Sequence, residues 1–369
     1  MSLLPYITGR QKDSPLMKKP LPEQVPPQAT TSREHEQIPL PEAREVVPGI
    51  WKFTLPIPFP LKTVNMYALV GHDGWALVDT GMGMHDARVA LAAGLHKAGL
   101  SINKLQAIVL SHDHPDHIGL SGILHEKSGA VVYMHPIDAN SMRVLWQDFD
   151  PERFSTVSHF FRQHGMPAGE PWFSHTSPAQ LHHIVRVPPS DTITLVENGQ
   201  YLHLAGERYR VIWTPGHSDG HICLFRDSDG VFLAADHVLP RITPNIGLYS
   251  EYDRANPLAD YLDSLRNVAP LPASIVLPGH GEPFKDLAGR IAEIIEHHEE
   301  REMQILTLLD DQPQNAYQLA EKLFGHRLKS NEARRMGTAE VLSHLEYLRL
   351  DGQIEQYKTS DGVYLYDAL

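Results

Sequence analysis

The stretch Ala107–Leu120, "AIVLSHDHPDHIGL", places three histidines and two aspartates within six positions, His112 to His117, directly behind an apolar run. A buried strand has no use for so many polar rings, and a solvent loop rarely selects them. The apolar residues 107–110 read as the end of a buried strand. His112 and His114 are two apart, so in extended backbone both imidazoles face one side. Pro115 then opens a helix, where its missing N–H costs nothing. Asp116 and His117 fall in that first turn and aim at a second point beside the first. Two imidazoles want one more ligand for an open tetrahedral site, and a carboxylate with an imidazole begins a second site.

The missing ligands should come from distant strand ends. Three candidates follow apolar runs: His217 in "TPGHSDGH", Asp236 in "FLAADH" and His280 in "LPGHGEPF". The runs around them read as strands: "GIWKFTLPI", "TVNMYALVG" and "GWALVDTG" first, then "LQAIVLS" and "AVVYMH", and later "RYRVIWTPGH", "HICLFRD", "GVFLAAD" and "ASIVLPGH". Helical patterns alternate with the middle group, "MHDARVALAAGLHKAGL" and "PDHIGLSGILHEKSG" among them, which predicts a layered α/β body. Ligands at strand ends, where loops converge, suit such a body.

This set closely resembles the metallo-β-lactamase superfamily, over Val47 to Lys285. The resemblance implies a four-layer αββα sandwich with a metal site of the glyoxalase II type. It implies His112, His114 and His217 on one metal, Asp116, His117 and His280 on the other, and Asp236 bridging both. Asp79 in "LVDTG" matches the aspartate that orients a ligand histidine from behind. His237 and His221 lie beside ligands without filling the pattern and read as support or packing. Two divalent ions are implied, zinc first for a nitrogen-rich set, with iron or manganese as alternatives. A bridging hydroxide would attack the substrate, with Asp116 and Asp236 as the catalytic carboxylates.

Composition sets outer bounds. The chain has 369 residues, a net charge of −13 and one cysteine, Cys223. That balance disfavours nucleic acid and anionic membranes as generic partners, and it excludes an internal disulfide or an all-cysteine metal site. No apolar run at the N-terminus suggests a signal peptide or membrane span, so a cytoplasmic protein is expected. Residues 1–46 form a proline-rich extended arm, residues 47–289 the catalytic domain with a helical insertion at about 137–190, and residues 290–369 a winged-helix-like domain of three helices and a hairpin. That last part carries eight Lys/Arg against twelve Asp/Glu over 300–369, which argues against a DNA reader. The arm makes a homodimer a reasonable expectation.

The resemblance narrows to glyoxalase II, lactonases, acyl thioesterases and a lactamase-like group with a C-terminal winged helix, which contains thioester hydrolases and an endoribonuclease. The expected function is hydrolysis of a small ester, acyl-CoA-like thioester or lactone. A single-strand endoribonuclease using the same metals is the alternative, and a non-enzymatic metal-holding regulator a third reading. The insertion's aromatics, Trp146, Phe149, Phe154, Phe160, Phe161, Trp172 and Phe173, would wall an acyl pocket or form a small core of their own. Arg241, Asn245, Tyr249 and Tyr252, in the loop after Asp236, are candidates for binding a carbonyl or anionic group.

Overall fold

Strand parity decides the layering. The computed structural model describes residues 42–148, 151–167, 183–251 and 254–369, with the side chains of 151–154 excepted. Seven strands, β1 (Glu42–Val47), β2 (Ile50–Pro56), β3 (Thr63–Val70), β4 (Trp75–Val78), β5 (Leu105–Val109), β6 (Val131–Met134) and β7 (Ile193–Leu195), form one sheet in chain order. Its first four strands pair antiparallel and its last four parallel. A second sheet holds β8 (Tyr201–Leu204), β9 (Glu207–Trp213), β10 (Ile222–Arg226), β11 (Val231–Ala235) and β12 (Ile275–Pro278).

Alternate side chains of each strand enter different cores. On β3, Tyr67 and Leu69 meet Val211, Leu224 and Leu233 of the second sheet, so this core lies between the sheets. Val64, Met66 and Ala68 turn the other way, against Ala87 and Leu91 of helix α1 (His85–Ala98). Between α1 and the next outer helix comes the single turn α2 (Pro115–Ile118); α3 (Ser121–Ser128) then adds Leu124 to the same core. The second sheet repeats the pattern. Its Phe225 and Phe232 face away from the first sheet, toward helices described below. Helix, sheet, sheet and helix layers therefore stack in the expected order.

The insertion begins with α4 (Pro136–Met142), continues as a π-helical turn over Arg143–Gln147, and contains α5 (Pro151–Gln163). Beyond the second sheet lie α6 (Pro257–Val268) and α7 (Leu287–Asp311), then α8 (Ala316–Phe324), α9 (Asn331–Leu350) and the antiparallel pair β13 (Ile354–Lys358) and β14 (Tyr364–Ala368). The expected core residues of α6, Leu258, Tyr261, Leu262 and Leu265, are all buried against Phe232 and against Leu287, Ile291 and Ile294 of α7. Three helices and a hairpin close the chain, as the sequence suggests. The expected boundary near residue 290 falls inside α7, an unbroken helix. Its first half packs on the sheet, and Ile305 and Leu309 pack with α8 and α9. The described residues belong to one compact unit.

Several details depart from the sequence reading. Strand β1 begins at Glu42, inside the expected arm; the arm before it lies outside the described residues. Strands β1, β7 and β8 were not expected. They are short or polar, and β1, β7 and β8 all sit at sheet edges, where a strand needs only one apolar face. The single helix expected over 115–129 is two. The carbonyl of His117 accepts from the backbone N–H and the hydroxyl of Thr80, at 2.7 and 2.8 Å, so it cannot continue the helix. Of the insertion's aromatics, Phe160 and Phe161 pack into the core of α7, α8 and α9, and Trp146 joins the outer core of the first sheet. Phe149, Trp172 and Phe173, the side chain of Phe154, and Tyr252 lie outside what is described.

Candidate metal centre

The seven expected ligands converge at one end of the sheet pair, each delivered from a strand end. His112, His114, Asp116 and His117 follow β5, His217 follows β9, Asp236 follows β11 and His280 follows β12. Three sets bring ligand atoms within 4.8 Å of one another: His112, His114 and His217; His112, His117 and Asp236; and Asp116, His117 and His280. Asp236 is the common point. Its Oδ2 lies 3.2 Å from His280 Nε2, 3.4 Å from His117 Nε2 and 3.5 Å from His217 Nε2. The Oδ2 of Asp116 lies 3.5 Å from His280 Nε2 and 4.0 Å from His117 Nε2.

Hydrogen bonds on the far sides of the rings fix which nitrogen faces inward. His217 Nδ1 lies 2.9 Å from the carbonyl of Asn245, and His280 Nδ1 lies 2.7 Å from the carbonyl of Thr63. A carbonyl only accepts, so both Nδ1 atoms carry hydrogen. His117 Nδ1 donates to Asp79 Oδ2 at 2.8 Å. Ser111 Oγ donates to the same oxygen, also at 2.8 Å, so it accepts from His112 Nδ1 at 2.9 Å. All four imidazoles thus turn Nε2 to the centre, where it offers a lone pair whenever the ring is neutral. Among the described residues, the Nε2 atoms of His112, His117 and His217 and the Oδ1 of Asp236 are buried without a hydrogen-bond partner. Buried polar atoms are normally paired. A cluster of lone pairs with no donor to meet them fits divalent cations.

Charge follows the same logic. Burial, with the neighbouring histidines, holds His112 well below the ordinary histidine range, and burial with His114 beside it pulls His217 down to about 4. Both rings are neutral ligands at neutral pH. His117 and His280 go the other way. Burial opposes their charge, yet the carboxylates around them, Asp236 foremost, raise both. Asp236 itself is held well below the carboxylate range by His280 and His117, against the effect of its burial.

The scaffold explains how such polar residues are held. Asp79 follows β4 with φ 60°, a left-handed conformation that Asp tolerates better than most residues. Its Oδ1 accepts from Ser111 N at 2.8 Å, while its Oδ2 serves Ser111 and His117, so one carboxylate orients two histidines. Gly279 precedes His280 at the point of closest approach. A Cβ there would press on Asp236 Oδ1 and lie 3.0 Å from His117 Cε1. Asn65 and Tyr67 on β3 hold the same loop, through Asn65 Nδ2 to the Gly281 carbonyl at 2.7 Å and Tyr67 Oη to the Pro278 carbonyl at 2.8 Å.

The remaining candidates lie further out. His237 is fully buried, pulled down to about 3 by burial, and packs edge-on to Tyr261 at 5.5 Å. His221 packs 5.0 Å from the His112 ring, and its Nδ1 lies 2.8 Å from Thr214 Oγ1. Arg241 is exposed on the loop after β11. Asn245 Oδ1 accepts from Tyr249 Oη at 2.7 Å, and its Nδ2 faces the Met336 carbonyl and Glu340 Oε2 of α9 at 3.4 Å. The Asn245 and Tyr249 side chains therefore brace the loop against α9, and Asn245 reaches the centre through its backbone. The sequence reading did not single out Thr63, Ser111 or the carbonyl of Asn245. A backbone carbonyl leaves no mark in residue type.

A conserved-domain model for the metallo-β-lactamase superfamily matches residues 60–280. The chain belongs to that superfamily. A second model, for a metallo-β-lactamase-like C-terminal domain, matches residues 303–369. Among similar proteins, a probable metallo-hydrolase, YqjP, of Bacillus subtilis is 26% identical, across 84% of this chain and 95% of its own. A metallo-β-lactamase family protein of Thermus thermophilus, TTHA1429, superposes with a TM-score of 0.77 at 37% identity, covering 88% of this chain and all of that one (100%). A β-lactamase domain protein of Burkholderia ambifaria follows with a TM-score of 0.76 at 27% identity, over 89% of this chain and 94% of its own.

Proposed function

We propose that this protein is a binuclear metal-dependent hydrolase of a small ester, acyl-CoA-like thioester or lactone. One observation carries the reading: a single carboxylate oxygen of Asp236 stands 3.2–3.5 Å from the inward nitrogens of three histidines that belong to two ligand sets. His112, His114 and His217 would hold one divalent ion, and Asp116, His117 and His280 the other, with Asp236 shared. Zinc suits the nitrogen-rich set first. Such a pair of ions supplies Lewis acidity and water acidified enough to act as nucleophile near neutral pH.

The chain's own residues do the rest. The Nδ1 bonds to Asp79, Ser111, Asn245 and Thr63 keep the four Nε2 lone pairs aimed inward through turnover. Asp116, with a side chain 11% exposed, is the most open of the carboxylates and takes up the proton of the attacking water at its Oδ. Arg241, exposed on the loop after Asp236, would meet an anionic part of a leaving group such as a CoA phosphate. We assign the C-terminal helices and hairpin a winged-helix-like fold with a bracing role, supported by the contacts of α9 with that loop.

The test is turnover of a panel of acyl-CoA thioesters, esters and lactones by metal-loaded protein, with Asp236→Ala beside it. Metal-dependent cleavage that drops at least ~100-fold in the variant is expected, since one ligand shared by two ions is lost. A folded protein with both metals bound that cleaves nothing in the panel would sink the proposal.

A further inference from the structure

Helix α4 carries a carboxylate that ties together the two loops from which one metal set is built. Asp138 lies in the first turn of α4 and is 1% exposed. Its Oδ1 accepts from Gly220 N at 2.6 Å, and its Oδ2 accepts from Ser218 Oγ at 2.6 Å and from Asp113 N at 3.2 Å. Asp113 stands between His112 and His114, and Ser218 follows His217 directly. Every member of the His112, His114 and His217 set is thus one residue from a bond to Asp138.

The surroundings are built for this grip. A Cβ on Gly220 would lie 2.6 Å from both the backbone nitrogen and Oδ1 of Asp138, so only glycine lets the loop close on the carboxylate. Asp113 is held again by its own side chain, which accepts from Ser141 Oγ at the end of α4. Its carbonyl faces Trp146 Nε1 of the π-helical turn at 3.4 Å. The other metal set, Asp116, His117 and His280, takes its outer bonds from Asp79 and Thr63 instead.

We propose that Asp138 is a positioning residue that holds His112, His114 and His217 at metal-binding distance by locking the β5–α2 loop to the β9–β10 loop, and so governs one of the two metal sites selectively. The inference rests on the binuclear reading above. Asp138→Asn keeps the shape but turns a donor toward Gly220 N–H or toward Ser218 Oγ and Asp113 N–H, so at least one tie is lost. Ser218→Ala removes a single tie and disturbs the fold least.

The test is cobalt(II) titration of the metal-stripped full chain, wild type, Asp138→Asn and Ser218→Ala, followed by calorimetry and by the visible ligand-field bands. Circular dichroism checks that each variant is folded. Wild type should bind two ions tightly. Asp138→Asn should keep one tight ion and lose at least ~10-fold in affinity for the other, with an altered visible spectrum, as expected when a partner outside the ligand set is removed. Ser218→Ala should show a smaller loss at the same site, and it carries the test alone if the Asn variant does not fold. Two tight ions with unchanged bands in the folded variants overturn the role of Asp138 and leave the hydrolase reading intact. A wild-type chain that takes up no metal overturns both.

Discussion

At the scale of single residues, the centre is a problem of aiming rings. A ligand histidine needs one nitrogen bare and the other held, and here two carbonyls, one carboxylate and the Ser111 hydroxyl hold the Nδ1 atoms of His217, His280, His117 and His112. The tightest constraint is Gly279. Gly279→Ala would push a methyl onto Asp236 Oδ1 and against His117, so the two sets must part. A loss of at least ~10-fold in metal affinity is expected, with thermal stability changed by only about 1–3 kcal/mol, typical of overpacking. Equilibrium dialysis with metal analysis measures the first and a thermal melt the second. Unchanged metal content would contradict the geometry. The seven inward side chains were legible in the sequence because all lie just beyond apolar runs, in residue types that such strands do not need. Thr63, the backbone carbonyl of Asn245 and Asp138 were not. Two act through backbone carbonyls, and Asp138 sits in the ordinary first turn of a helix, where an acid is common for reasons of helix dipole alone.

At the scale of elements, the loop after β11 depends on α9. Leu248 N bonds the Ala339 carbonyl at 3.1 Å, Ser343 Oγ donates to the Ile246 carbonyl at 2.6 Å, and Asn245 Nδ2 reaches Met336 and Glu340. The same loop presents the Asn245 carbonyl to His217. Ser343→Ala leaves that buried carbonyl of Ile246 unpaired, which costs about 1–3 kcal/mol. The expected outcome is a lower denaturation midpoint together with weaker metal binding, although residue 343 lies in another part of the chain. A variant that loses stability and keeps full metal affinity would uncouple α9 from the centre. Helix starts were partly legible. Asn315 and Gln318 form a reciprocal cap on α8, and Ser330 caps α9 through Ala333 N, signals the sequence reading passed over. The edge strands β1 and β7 were not legible from "EAREVV" and "ITL", since much of each faces solvent, and β7 pairs with β6, some sixty residues earlier in the chain.

At the scale of the whole molecule, buried histidines join the body to the C-terminal helices. His344 Nδ1 donates to the Glu340 carbonyl at 2.8 Å, so its Nε2 accepts from His298 Nδ1 at 3.1 Å. Tyr261 packs on His298 from α6, with His297 and Arg301 beside it. His164 of the insertion meets Tyr366 Oη of β14 at 3.1 Å and lies near Lys358. Burial pulls His298 down to about 2, and His344 and His164 to about 4. Unfolded histidine titrates near ~6.5, so below that pH the unfolded chain binds more protons than the folded one. Stability contributed by these neutral rings is complete above ~6.5 and falls progressively as pH drops toward about 4. Urea denaturation at pH 7 and pH 5 should show a clearly lower midpoint at pH 5, reduced in slope of loss by His298→Gln; equal midpoints would contradict the burial of these rings. The layered body was legible from the alternation of strand and helix patterns and its four layers from the family resemblance, whereas the union of insertion, body and C-terminal helices was not, because contacts such as Phe160 and Phe161 with α8 and α9 join segments far apart in sequence. That union has a consequence for how the protein comes into being. All seven inward ligands are in place along the chain by residue 280, but the helix that steadies the carbonyl behind His217, Asn331–Leu350, is translated only after all of them. During synthesis the centre is therefore complete in composition well before it is complete in geometry.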